Sequence, residues 1–153
     1  MTLTTHATLG VLVGAMLGNP IAAFLVGLLS HFLVDMIPHG DRTLYAAHKS
    51  KRGQRRAYAF VTMDAIVAIV VTAFLMASPA NTFGLSMALG VLGSLFPDLL
   101  NGIYEAWRPK WLRWFHRLHF LFHDAISNRT GDVPLHYALI GQAVFMFIAV
   151  RWF

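Results

Sequence analysis

Long apolar segments separated by short turns dominate this chain of 153 residues. Residues 3–17 and 20–37 are separated by a Gly-Asn-Pro sequence, which ends one helix and begins the next. Further apolar segments cover residues 57–77, 83–107 and 134–152. A helix of about 20 apolar residues crosses a hydrocarbon core of about 30 Å. The pattern predicts an all-α, polytopic membrane helix bundle with five transmembrane helices, arranged as two hairpins and a C-terminal span.

Composition agrees with a single membrane domain over residues 1–153, because 57% of the residues are hydrophobic and only 12% are charged. Cysteine is absent, which excludes disulfides, thiolate metal sites and cysteine nucleophiles. Any metal ion must therefore be bound by His, Asp or Glu. The net charge of +5 in so apolar a chain favours anionic lipid headgroups over nucleic acid as the partner.

Residues 111–126 contain too many ionisable groups for a comfortable span. On a helical wheel Trp114, Phe115, Leu118, Leu121 and Phe122 share one apolar side, which predicts an amphipathic helix lying in the membrane interface. Residues 38–56 are polar and basic and are expected to form a loop. With five spans, eleven of the twelve Lys and Arg residues lie on the side of the N-terminus and only Arg151 lies opposite. This bias predicts an inner (cytoplasmic) membrane protein with a cytoplasmic N-terminus.

The same threading places the histidines and carboxylates on the cytoplasmic side. His31 and Asp35 are one helical turn apart, and His39 follows the Pro38 break. Three further histidines fall within about 60° of one another on a helical wheel, namely His116, His119 and His123. Neutral imidazole and carboxylate are suitable ligands for Zn²⁺, and also for Mn²⁺, Fe²⁺ or Ni²⁺. A divalent metal site, most simply for zinc, is therefore predicted.

A short internal similarity relates two of the helices. The segment from Gly27 to Asp35 aligns with the segment from Gly90 to Asp98, with Gly on Gly and Asp on Asp. Each carries small and polar residues at i, i+4 and i+8, which permits close helix approach and would bring the two carboxylates together. A kink or break is expected at Pro97. Asp64 lies two turns inside a span, where a charge needs a partner, a proton or a water-filled cavity.

Four short motifs resemble those of the inner-membrane metal-dependent hydrolase family, small proteins with several spans. They are "THATLG" at His6, "GLLSHFLVDMIP" at His31 and Asp35, "LFPDL" at Asp98 and "FHRLHFLFHD" at residues 116–123. The likeness covers roughly a third of the chain. It differs from the family pattern in that the Pro-Asp motif lacks a following Asp-x-His and the Ser-His-x-x-x-Asp motif comes early.

The resemblance implies metal-dependent hydrolysis of a phosphoester or ester carried by a lipid. His31, Asp35, His119 and His123 are then the first candidate ligands, with Asp98 as a further ligand or general base. Asp64 would act with Asp98 in catalysis or orient an imidazole. His6, His39 and His116 are further candidate metal residues, and Arg113 and Arg117 would bind the anionic headgroup.

Other classes of protein stay open at this point. An ion- or proton-coupled transporter would use Asp35, Asp64 and Asp98 as an ion path, although the opposite half of the membrane offers almost no polar residue to complete it. A haem protein would use two histidines as axial ligands. A membrane scaffold would bind a partner or lipid through its basic loop. For any single residue, helix capping or headgroup contact is the simpler alternative.

Overall fold

The structure is a computed structural model that describes residues 1–42, 44, 50–77 and 83–151. Within these residues the chain forms helices and no strand. The helices are α1 (Leu3–Leu17), α2 (Pro20–Asp35), α3 (Lys51–Met76), α4 (Gly84–Trp107), α5 (Arg113–His123), the one-turn α6 (Ser127–Thr130) and α7 (Leu135–Arg151). A 3₁₀ turn at Lys110–Leu112 precedes α5. The predicted all-α helix bundle is therefore confirmed.

The turn between α1 and α2 has the conformation that its sequence predicts. Gly18 ends α1 with φ of 61°, a left-handed conformation that costs glycine little. The side chain of Asn19 accepts a hydrogen bond of 3.0 Å from the backbone N–H of Ala22, and Pro20 occupies the first position of α2. The two helices therefore form a tight hairpin.

Four points differ from the sequence prediction, and one of them is the end of α5, which lies at His123 rather than at residue 126. Helix α3 begins at Lys51 rather than at residue 57, because Ser50 caps it and the basic residues that follow are good helix formers. Helix α2 ends at Asp35. Helix α4 continues through Pro97 without a break. The turn expected at residues 78–82 lies outside the described residues.

Helix α4 packs against both α1 and α2 through glycines. A Cβ atom on Gly90 would lie 2.2 Å from the carbonyl oxygen of Gly10 in α1, and one on Gly27 in α2 would lie 2.5 Å from the carbonyl oxygen of Gly90. A Cβ atom on Gly93 would lie 2.2 Å from the carbonyl oxygen of Phe24. The three helices thus meet backbone to backbone, as the small-residue pattern predicts.

Helices α3 and α7 pack against the first turns of α1. The carboxylate of Asp64 in α3 accepts bonds from the N–H of Leu3 (2.6 Å) and Thr4 (3.2 Å). In α7, Gln142 accepts a bond from the N–H of Thr2 (2.9 Å), while Met146, one turn later, contacts Thr8. Helix α7 therefore runs parallel to α1.

Two helices, α3 and α4, are long and apolar enough to cross a membrane. Only 6% of the most apolar window of α3 is buried inside the bundle, against 33% for α4. A helix this apolar with so little covered surface is expected to face lipid or a partner. Helices α1, α2 and α7 are apolar but shorter, at 15, 16 and 17 residues.

Helix α5 folds back onto α2 and α4 at one end of the bundle. Phe115 and Leu112 form a buried cluster with Tyr104 of α4, against which Phe32 of α2 packs. The buried face of α5 carries Phe115, His119 and His123. The apolar side expected from the helical wheel is therefore divided, with Phe115 in the core and Leu121 68% exposed.

Candidate metal centre

Four side chains from three helices converge between α2, α4 and α5. They are His31 and Asp35 of α2, Asp98 of α4 and His119 of α5, and each offers one ligand atom within 4.8 Å of the other three. His31, Asp35 and His119 are each at most 2% exposed. The i, i+4 spacing of His31 and Asp35 places both on one face of α2, and the close packing of α2 on α4 brings Asp98 beside them.

The spacing of the ligand atoms suits one small cation. Nε2 of His31 lies 3.4 Å from Oδ2 of Asp35 and 3.7 Å from Oδ1 of Asp98. Nε2 of His119 lies 3.8 Å and 3.9 Å from the same two oxygens. Ligand atoms around a tetrahedral Zn²⁺ at 2.0–2.2 Å lie about 3.3–3.6 Å apart. The separation of 3.4 Å lies within this range, the other three are slightly wider, and all four are longer than ordinary hydrogen bonds.

The orientation of His31 is fixed by the backbone of α4. Its Nδ1 lies 2.8 Å from the carbonyl oxygen of Ser94, so Nδ1–H donates and the lone pair of Nε2 faces the two carboxylates. That Nε2 has no hydrogen-bond partner among the described residues. A metal-binding histidine commonly donates its other ring N–H to a carbonyl in this way. Because Pro97 has no N–H, the carbonyl oxygen of Gly93, one turn earlier in α4, receives no helical hydrogen bond from it.

The remaining oxygen of Asp35 faces away from this group. Nε2 of His6 lies 3.1 Å from Oδ1 of Asp35, and the His6 ring stacks on the His31 ring at 4.2 Å between centroids. The amino group of Met1 also contacts Oδ1 of Asp35. His6 therefore lies behind the candidate ligands and holds Asp35 in place.

A second group lies directly beside the first. Oδ2 of Asp41 lies 3.0 Å from Nε2 of His123 and 3.3 Å from Nε2 of His39. His39, His123 and Asp35 also have ligand atoms within 4.8 Å of one another. Asp35 is thus common to both groups.

Charge pairing controls the protonation of this second group. Burial opposes ionisation of Asp41, but hydrogen bonds from His123 and His39 hold its pKa well below the usual range. Burial likewise disfavours the charged form of His123, but Asp41 outweighs it and raises the pKa of His123 to about 9. Burial lowers the pKa of His119 to about 4, so His119 is neutral at pH 7, the form that binds metal.

Other predicted site residues lie elsewhere. His116 is in the three-histidine stripe but binds Asn101, with Nδ1 2.6 Å from the amide oxygen, and stacks on Tyr104. Asp64 caps α1 and is not part of either ligand group. Arg113 is exposed on α5. The three histidines of the stripe therefore lie in three different environments, and only His119 belongs to the ligand group of His31.

An open cavity of about 690 Å³ leads to the centre. Its volume lies within the usual range for small-molecule sites. Asp35, Asp98 and His119 line it together with the basic side chains of Arg42 and Arg117. Arg42 is held by Asn128, whose amide oxygen lies 2.7 Å from its guanidinium. The arrangement places a candidate metal site beside two positive charges.

Two features of the site were not predicted from the sequence as functional. Asp41 follows His39 beyond the Pro38 break, which was a usable signal, but it was not among the predicted ligands. Arg42 was counted only as a charge in the basic loop, and nothing in the sequence indicated that it lines the cavity.

Comparison with protein families, with curated protein sequences and with solved structures finds no match for this chain.

Proposed function

We propose that this chain is a membrane-embedded, metal-dependent hydrolase that acts on a phosphoester or ester carried by a lipid. The observation that carries the proposal is the unpartnered Nε2 of His31, buried and directed at the carboxylates of Asp35 and Asp98. A lone pair facing two carboxylates in a low-dielectric interior is unfavourable unless a cation or a shared proton lies between them. Divalent zinc satisfies this charge and the ligand types.

The proposal includes five spans, namely α1, α2, α3, α4 and α7. The exposed apolar surface of α3 and the parallel direction of α1 and α7 support it. In this threading Arg151 lies at the opposite end from the basic start of α3. The excess of positive charge at the site end favours a cytoplasmic orientation of that end.

The position of the centre along the bundle favours a substrate within the bilayer. Asp64 meets the first turn of α1, beside which His6 and Asp35 lie. Helix α3 is predominantly apolar from Asp64 back to Ala57, a length of about 10 Å at 1.5 Å per residue. The centre would then lie about this far inside the cytoplasmic boundary. A lipid linkage near the headgroup reaches this depth.

The residues around the centre have distinct roles in this proposal. His31, His119 and Asp35 would hold the metal ion, which when bound acts as a Lewis acid and makes water more acidic. Asp98 faces the cavity with 27% of its side chain exposed, so Oδ1 can complete the ligand group while the other oxygen accepts the proton of an attacking water. Arg117 and Arg42 would bind the anionic headgroup.

Two measurements on detergent-purified protein test the proposal. Elemental analysis should find metal in the wild type and less metal in the His31→Ala, His119→Ala double variant. Mixed micelles of phosphatidic acid or phosphatidylglycerol should release inorganic phosphate or a phosphorylated headgroup if a phosphoester is cleaved, and fatty acid if a carboxylic ester is cleaved.

Asp98→Asn should reduce the rate by at least about 100-fold, as expected for loss of a general base. His136→Ala, an exposed position on α7, is the control and should leave both metal content and rate unchanged. Absence of metal from an unchelated wild-type preparation would refute the metal centre. Metal without release of any product would refute the hydrolase.

A further inference from the structure

Three side chains next to the first ligand group form a second set of donors. Oδ2 of Asp41 lies within 3.3 Å of Nε2 of both His39 and His123. His39 and His123 also lie with Asp35 in a group whose ligand atoms are within 4.8 Å of one another. The second set therefore has the composition of the first, two histidines and one carboxylate of its own, with Asp35 common to both.

The histidines of this second set are oriented as metal ligands usually are. Nδ1 of His39 lies 2.7 Å from the carbonyl oxygen of Ile37, which leaves Nε2 to face Asp41. Nδ1 of His123 lies 3.1 Å from the carboxylate of Asp124. A ring N–H donated to a carbonyl or carboxylate fixes the tautomer and aims the other nitrogen at the ion.

The space between the sets attracts positive charge. The amino group of Met1 contacts Oδ1 of Asp35 and lies 2.8 Å from Nε2 of His39. Oδ2 of Asp35 faces His31 and His119 on the other side. Asp35 thus has one oxygen facing the first set and a ligand atom within 4.8 Å of those of His39 and His123, so its carboxylate can bridge the two sets.

We propose that His39, Asp41 and His123 form a second divalent-metal site, joined to the first through Asp35. This inference rests on the metal centre of the proposed function and makes that centre binuclear. His119 and His123, one turn apart on α5, would each serve one ion. Binuclear sites with ions about 3.5–4 Å apart are well suited to displacement at phosphorus, because both the attacking and the leaving oxygen are stabilised. The second site therefore favours a phosphoester over a carboxylic ester as the substrate.

Metal stoichiometry in zinc-loaded, gel-filtered protein tests the proposal. We expect two zinc ions per chain in the wild type and one in both His39→Ala and Asp41→Asn. The matched control is His116→Ala. His116 lies on α5, as His123 does, but belongs to neither set, so this variant should keep two zinc ions. Circular dichroism of each variant establishes that the helices are retained, and Asp41→Asn preserves side-chain size.

Electron paramagnetic resonance of Mn²⁺-loaded protein gives a second readout that does not depend on activity. Two ions sharing Asp35 should give an exchange-coupled spectrum in the wild type, and Asp41→Asn should give the spectrum of isolated Mn²⁺. One zinc ion in the wild type, unchanged by His39→Ala, would overturn the second site and leave the proposed function standing. Two ions retained in both variants would also overturn it. No zinc in the wild type would overturn both proposals.

Discussion

Gly27→Ala should weaken metal binding without touching any candidate ligand. The added Cβ atom would lie 2.5 Å from the carbonyl oxygen of Gly90, whereas ordinary contacts begin at 3.4 Å. Helix α2 must therefore move by roughly 1 Å away from α4, because both contacting groups belong to helical backbone. One turn further along, the same movement would take Nε2 of His31 from 3.7 Å to roughly 4.7 Å from Oδ1 of Asp98.

The size of the effect follows from the cost of overpacking, about 1–3 kcal/mol. If that strain is expressed at the metal centre, zinc affinity falls by about 5- to 150-fold, since 1.4 kcal/mol corresponds to a factor of ten. Competition with a chromophoric chelator measures the affinity, and thermal unfolding in detergent measures the accompanying loss of stability.

Gly102→Ala is the matched control on α4, because no atom of the described residues lies within 4 Å of its added Cβ. Alanine there should leave zinc affinity unchanged and raise helix stability by up to about 1 kcal/mol. A folded Gly27→Ala variant that binds zinc as tightly as the wild type would refute the claim that the packing of α2 on α4 sets the geometry of the metal centre.

Three further predictions concern other parts of the bundle. Asp64→Ala should lower the free energy of unfolding by about 1–3 kcal/mol, because two backbone N–H groups of α1 lose their acceptor. Calorimetry in detergent measures this loss, and metal content should not change. A variant as stable as the wild type would contradict the capping role of Asp64. In chelator-treated protein, the pair of His123 and Asp41 stabilises the fold fully below the ordinary histidine pKa of 6.5, and this contribution is lost as pH rises through about 9. Melting temperatures measured from pH 6 to pH 10 should fall less steeply in Asp41→Asn than in the wild type, and equal slopes would argue against the pair. Arg117→Gln should raise KM for an anionic lipid by about 10-fold with little change in kcat, as loss of a charged hydrogen bond in binding predicts, and an unchanged KM would exclude headgroup binding by Arg117.

The helices could be predicted from the sequence because their signals are local. Gly18, Asn19 and Pro20 define a turn by their own conformational preferences, and the apolar segments define the helices around it. The start of α3 at Lys51 was missed because a charged helix that extends beyond the apolar segment resembles a loop in composition. Neither the break expected at Pro97 nor the helical extension of α2 to residue 37 occurs.

The first ligand group could be predicted in part from the sequence, because some of its signals are also local. The spacing of His31 and Asp35 places them on one helical face, and the similarity of the two glycine-containing segments points to Asp98. The pairing of His123 with Asp41 could not be predicted, because it depends on how the chain returns after Pro38. The separation of His116 from His119 depends equally on Asn101 of α4, a tertiary contact that helical periodicity does not contain.

The glycine contacts of α4 have a consequence for which ions the protein can accept. Since α2 and α4 touch through main-chain atoms at Gly27 and Gly90, two turns from the carboxylates, no side chain there can adjust to widen the gap between Asp35 and Asp98. A calcium ion needs six to eight oxygen ligands at about 2.3–2.6 Å, and so a larger opening. At the proposed metal site, the backbone contact would therefore favour small transition-metal ions over calcium through the spacing of the two carboxylates alone.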